Sequence, residues 1–144
     1  MFIEYMNRIV LDTNCLIASL SRTSRSYSVW RGLHDGLYRL CVSNEILMEY
    51  QEMIGRKTTP EIAENVIQFI TNSEFVELIT PYYRFDLLKA DRDDNKFVDC
   101  AIAANATYIV SDDKHFKPLR SIDFPKVLVL KLMEFVERLN QSAT

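Results

Sequence analysis

Five short apolar runs recur along the chain, each neighboured by segments of helical periodicity, and this alternation limits the folds open to it. The runs are Ile9-Val10-Leu11, Leu40-Cys41-Val42, 75–79, Tyr108-Ile109-Val110 and 127–130. Each is too short for a helix and reads as a strand. Helical patterns occupy 13–20, 27–37, 44–54, 61–70, 95–106 and 131–139, with a short piece near Lys114. Thr59-Pro60 supplies an N-cap and a first-turn proline for one of them. Strands that are continuously apolar and separated by helices predict a central parallel β-sheet flanked by α-helices on both faces, an α/β fold. The stretch 81–93 reads as an irregular connection carrying one helical turn at 85–88.

A chain of 144 residues buries roughly two-thirds of its unfolded surface around one core. With 48% apolar residues, three glycines and four prolines, it is far from disordered or low-complexity composition. A single domain over 1–144 is expected, with its core at about 8–139. The richest apolar stretches are interrupted by Asp99, Asn105 and Asp112, so no membrane span is expected. The first five residues lack the basic flank and apolar length of a signal peptide, and export is not expected. Cys15, Cys41 and Cys100 form no CxxC pair and are odd in number, which fits buried thiols in a reducing cytoplasm.

In open parallel sheets, functional groups collect beyond the carboxyl ends of the strands. Asp12 follows the first run and Asp112-Asp113 follow the fourth, so two strand ends carry acid. Helix N-capping is the structural alternative for Asp12 and Asp113. Projection at about 100° per residue places Glu49 at the margin of the stripe Ile46, Leu47, Tyr50, Met53 and Ile54. The same projection sets Asp94 on the face of Phe97, Val98, Ala101 and Ala104, and turns Asp99 away into solvent. Asp91 and Asp93 remain alternatives to Asp94 as turn, cap or site residues, and Asp112 competes with Asp113.

Four converging carboxylates repel, at about 3 kcal/mol per pair for about 5 Å and an effective dielectric near 20. Oxygen donors of this kind select a hard cation, Mg2+ or Mn2+. Such a centre suits phosphodiester hydrolysis. The net charge of −3 argues mildly against nucleic acid, but cancelling four negative charges with metal would bring it to +1. Thr13 and Asn14 beside Asp12 could orient a phosphate or water, and Ser43 could cap the helix bearing Glu49. His34 and His115 read as ordinary surface or boundary histidines. Arg22, Arg25, Arg56 and Lys57 read as solvated charges with phosphate contact as the alternative. Tyr27, Phe69 and Phe75 read as core or interface anchors. Tyr27, Val29, Trp30 and Leu33 form a helical apolar stripe that either packs on the sheet or serves an interface.

The ordered set Leu11-Asp12-Thr13-Asn14, Glu49, Asp91-Arg92-Asp93-Asp94-Asn95-Lys96-Phe97 and Ile109-Val110-Ser111-Asp112-Asp113 resembles the PIN-domain nucleases. More narrowly, it is similar to the VapC-like toxin components of bacterial toxin–antitoxin modules. The resemblance runs from about residue 8 to 139. It implies a PIN-like domain and a metal-dependent endoribonuclease acting on single-stranded RNA, restrained by a cognate antitoxin. A homodimer or higher oligomer is expected, with no membrane partner. Carried over by position, Asp12, Glu49, Asp94 and Asp113 are the four metal-binding catalytic acids; Ser111 stands where the family often has Thr. The alternatives are a housekeeping RNA-processing PIN nuclease and a non-catalytic RNA- or protein-binding domain. A further rival, a Mg2+-dependent aspartyl phosphatase, wants a second acid where Asn14 stands.

Overall fold

The computed structural model describes residues 7–142, with the side chain of Ser142 outside the description. Strands β1 (Arg8–Leu11), β2 (Arg39–Val42), β3 (Val76–Leu78), β4 (Tyr108–Val110) and β5 (Val129–Leu130) form one sheet in the order β3-β2-β1-β4-β5. Every neighbouring pair is parallel, with Ile9 opposite both Leu40 and Tyr108. Ile9, Val10 and Leu11 are all fully buried, so both faces of the central strand are covered, as continuous apolar strands require.

The helices are α1 (Thr13–Ala18), α2 (Tyr27–His34), α3 (Asn44–Lys57), α4 (Pro60–Asn72), α5 (Asn95–Ala104) and α6 (Leu132–Ser142). Short 3-10 segments cover Arg92–Asp94 and Lys114–Ser121. Ser43 caps α3 by accepting from the Ile46 amide, and Thr59 caps α4 by accepting from Ile62. Pro60 stands in the first turn of α4, where its missing N–H costs no helical bond. Helix α5 ends on Asn105 in the left-handed region at φ 52°, and α5 packs on β1, β2 and β4. The three cysteines are free and buried. Among the described residues, no helix is long and apolar enough to cross a membrane.

Two expectations are corrected, and one open alternative is resolved. No helical turn forms at 85–88. There the Phe85 amide donates to Asp99 Oδ1 (3.1 Å), the Leu88 amide donates to Asn95 Oδ1 (2.9 Å), and Asp86 adopts φ 53°. Side chains of α5 therefore take the amides that a turn would use. For the same reason Asp99 is not solvated: the connection lies over that face of α5 and leaves the residue 5% exposed. Of the α2 stripe, Val29 and Leu33 are fully buried, while Trp30 is half-buried and meets His34 and Phe69 edge-on at 4.9 and 5.1 Å. That stripe belongs mainly to the core.

Candidate active site

The sheet order reverses direction at β1, whose neighbours β2 and β4 lie on opposite sides. The carboxyl ends of β1 and β4 thus flank the crevice where open parallel sheets place their ligands. Hydrogen bonds tie the two ends together. The Asp12 amide donates to the Val110 carbonyl at 3.0 Å, and Ser111 Oγ donates to Asp12 Oδ2 at 2.7 Å. Ser111 Oγ in turn accepts from the Asp113 amide at 2.9 Å, so one hydroxyl positions two acids.

Asp12 occupies the N-cap position of α1 without a side-chain capping bond, and is only 6% exposed. Capping therefore does not account for its carboxylate. Burial pushes its pKa above the ordinary value, against the lowering effect of the Ser111 hydroxyl, and Asp113 and Glu49 add like charge. Asp113 does cap the following 3-10 segment through the His115 amide (2.9 Å), so its structural and site readings coexist. Asp112 is exposed and accepts from the Leu132 amide at 2.9 Å, fastening the start of α6. A cavity of about 260 Å3 lined by Asp12, Asn14, Asp112, Asp113 and Leu132 opens beside these groups.

Asp94, at the start of α5, faces the same crevice. Its pKa is pushed up to about 7, first by burial and then by Asp91, Asp12, Asp113 and Asp93. The acids of three separate segments therefore share one electrostatic environment. Asp93 instead is exposed and pairs with Lys96 at 3.2 Å.

Glu49 sits at the edge of this group. Its carboxylate accepts from Thr13 Oγ1 and pairs with Lys96 Nζ, whose side chain is only 13% exposed. Tyr50 Oη donates to the Leu11 carbonyl at 2.6 Å and holds α3 against the end of β1. Asn14 is exposed and accepts from Lys57 Nζ at 3.0 Å. Thr13 and Ser43 thus serve Glu49 and the α3 cap respectively.

Two residues were not assigned to the site from sequence. Lys96 supplies Glu49 with a counter-charge; the signal was its place two residues beyond Asp94 in the acidic motif. His115 is exposed, as expected of a surface histidine, yet its Nδ1 lies 2.7 Å from Asp91 Oδ2 and 2.9 Å from Asp113 Oδ1. It also lies 3.9 Å from Asp94 Oδ2. Position 115, two beyond Asp113, was its only sequence signal. Asp91, Asp94 and His115 offer ligand atoms within 4.8 Å of one another.

The donor set fits a divalent cation. A carboxyl pushed up to about 7 by burial and then by neighbouring carboxylates gains from a positive charge beside it, and oxygen donors suit Mg2+ or Mn2+. Asp12, Asp94 and Asp113 could hold such an ion, with Glu49 alongside.

A parallel sheet with acids converging at its switch point defines the class: an α/β domain with an acidic cleft at the carboxyl ends of its strands. The PIN domain family model matches residues 8–115, and the chain belongs to that family of nucleases. VapBC2 from Rickettsia felis, bound to a DNA fragment from its promoter, is similar at TM-score 0.59 and 18% identity, over 86% of this chain and 98% of that one. DNA-bound VapBC from Salmonella typhimurium is similar at TM-score 0.55 and 15% identity, over 88% and 99%. The T. brucei RRP44 PIN domain follows at TM-score 0.54 and 12% identity, over 96% and 84%. At these identities the likeness is one of fold. No curated protein matches the chain.

Proposed function

We propose that this protein is a Mg2+- or Mn2+-dependent endoribonuclease that hydrolyses single-stranded RNA, and that it is the toxin of a type II toxin–antitoxin module in the cytoplasm. The observation that carries the reading is the meeting of Asp12, Asp94 and Asp113 from three segments at the β1–β4 crevice. Family membership supports nuclease chemistry, and the fold likeness to two VapBC structures supports an antitoxin partner.

When bound, the cation supplies Lewis acidity that lowers the pKa of a water and steadies charge on the phosphate. Asp12 is oriented by the Ser111 hydroxyl, which donates to Oδ2, and its carboxylate would be one of the cation's donors. Asp94, pushed up to about 7 by burial and by Asp91, Asp12 and Asp113, would be one of the oxygen donors to the cation, whose charge would offset that like-charge crowding. Glu49 is fixed at the rim of the cleft by Lys96 Nζ and Thr13 Oγ1, both of which donate to its carboxylate. Asp113 is held by its cap and by the Ser111 hydroxyl, so the cleft is organised before substrate enters.

The test is incubation of purified protein with labelled single-stranded RNA. Cleavage in Mg2+ or Mn2+ that ceases with EDTA is expected, and undiminished cleavage in chelator overturns metal dependence. Co-purification with the product of a neighbouring small gene tests the antitoxin; capture of no such product counts against the toxin reading alone.

A further inference from the structure

We infer that His115 is a nitrogen ligand at the mouth of the acidic cleft, joining Asp91 and Asp94 in a mixed site that takes Mn2+ or a related transition-metal ion in preference to Mg2+. The inference deepens the proposed function, and rests on the cleft being a divalent-cation centre.

Three observations carry it. His115 Nδ1 is the ring atom turned inward, at 2.7 Å from Asp91 and 2.9 Å from Asp113, with Asp94 at 3.9 Å. An exposed imidazole has no burial to gain there, so its orientation is set by the carboxylates around it. The ring is also held by backbone: the His115 amide donates to Asp113 Oδ1 at 2.9 Å, which fixes where the side chain starts. Asp91 comes from the connection that Asn95 anchors, since Asn95 Oδ1 accepts from the Leu88 amide at 2.9 Å and Asn95 Nδ2 donates to the Leu88 carbonyl at 3.1 Å. Two pinned segments thus present one nitrogen and two carboxylates within 4.8 Å of one another.

The metal preference follows from ligand chemistry. Carboxylate and water suit Mg2+ and Mn2+ alike, whereas imidazole raises affinity along the series from Mn2+ to later divalent ions and adds little for Mg2+. One histidine among acids therefore separates ions that an all-oxygen cleft would treat more evenly. A side chain on the surface also lets the ligand be changed with little disturbance to the core.

The experiment measures binding of Mn2+ and of Mg2+ by calorimetry to the full chain and to His115→Ala and His115→Asp, with circular dichroism confirming the fold. Electron spin-echo spectroscopy of the Mn2+-loaded protein looks for coupling to a ring nitrogen. The expected result is nitrogen coupling in the unmodified protein and none in either variant. Mn2+ affinity should fall by about tenfold or more in His115→Ala, while Mg2+ affinity stays within about twofold because imidazole is a poor Mg2+ ligand. His115→Asp should bind both ions, with the Mn2+ preference reduced. Absence of nitrogen coupling, or equal loss for both ions, overturns the inference. Both readouts are independent of RNA cleavage. A protein that cuts RNA with Mg2+ yet shows no nitrogen ligand retains the nuclease reading and loses this one. Nitrogen coupling without RNA cleavage does the reverse.

Discussion

Asp94 and Asp99 stand five residues apart, and burial lifts both above the ordinary carboxylate range, but different neighbours surround them. Asp94 is raised further by Asp91, Asp12 and Asp113, whereas Asp99 accepts from the Phe85 amide and feels the opposing charge of Arg84. Asp94→Asn is expected to remove most RNA cleavage, by about a hundredfold, with the fold intact. Asp99→Ala is expected to cost about 1–3 kcal/mol of stability through the orphaned Phe85 amide and to leave metal affinity nearly unchanged. Cleavage assays paired with denaturant melts separate the two, and equal loss of metal affinity in both variants would contradict the assignment. The acids also set a pH dependence. For Asp94 the folded value of about 7 exceeds the ordinary 3.8, so between these the folded state binds more protons than the unfolded one. Stability of metal-free protein then falls as pH rises through that window, and Asp12 and Asp99 shift in the same direction. Thermal melts in chelator should give a higher Tm at about pH 5 than at about pH 8, and the reverse order would contradict the shifts. Removing the hydroxyl in Ser111→Ala takes a charge-assisted donor from a buried carboxylate, a loss of about 1.5–3 kcal/mol readable by melts.

Among the elements, the strands and most helices were legible because period and caps agreed. Tyr108–Val110 matches its run, and α3 starts one residue after Ser43, as the cap requires. Helix α3 runs on to Lys57, beyond the expected end at 54, since neither Gly55 nor the charged residues after it break a helix. The segment before α5 was not legible. Its geometry depends on Asn95 and Asp99 reaching back to amides seven and fourteen residues away, contacts with no local periodic signature. Helical phase set Asp94 on the side where it meets Asp12 and Asp113, while Asp99 was misplaced because projection knows nothing of a connection folding over that face. His115 was passed over because its neighbours Asp91 and Asp94 come from another segment. One element-level feature is sharply testable. Gly36 follows α2 at φ 72°, and a Cβ there would lie 2.6 Å from the Phe75 ring. Gly36→Ala is expected to destabilise by about 1–3 kcal/mol in denaturant melts; an unchanged midpoint would show that α2 and Phe75 separate freely.

At the scale of the whole molecule, the strand order does the gathering. Because β1 and β4 are parallel neighbours at the reversal point, Asp12 and Asp113 emerge from the same edge although a hundred residues separate them. Helix α5 then delivers Asp94 to that edge, and α3 brings Glu49 with Lys96 already paired to it. The α2 stripe, open from sequence between core and interface, is mostly spent on the core. Large apolar side chains remain exposed elsewhere, with Tyr82 95%, Phe124 91% and Met48 72% accessible. Light scattering of the free protein at micromolar concentration is expected to return a mass above the 16.8 kDa of one chain; a strictly monomeric value would count against the oligomer while leaving the site untouched.

If carboxylates gathered at the β1–β4 crevice hold the cation that drives cleavage of RNA, neutralising one of them should stop the reaction. Its most direct measurement is the rate at which purified protein cuts one labelled single-stranded RNA in Mg2+ or Mn2+, compared side by side with Asp12→Asn of verified fold. The account predicts internal cleavage by the unmodified protein and a fall of about a hundredfold or more in the variant. Equal rates for the two proteins, or the same cleavage with every divalent ion chelated, would contradict it.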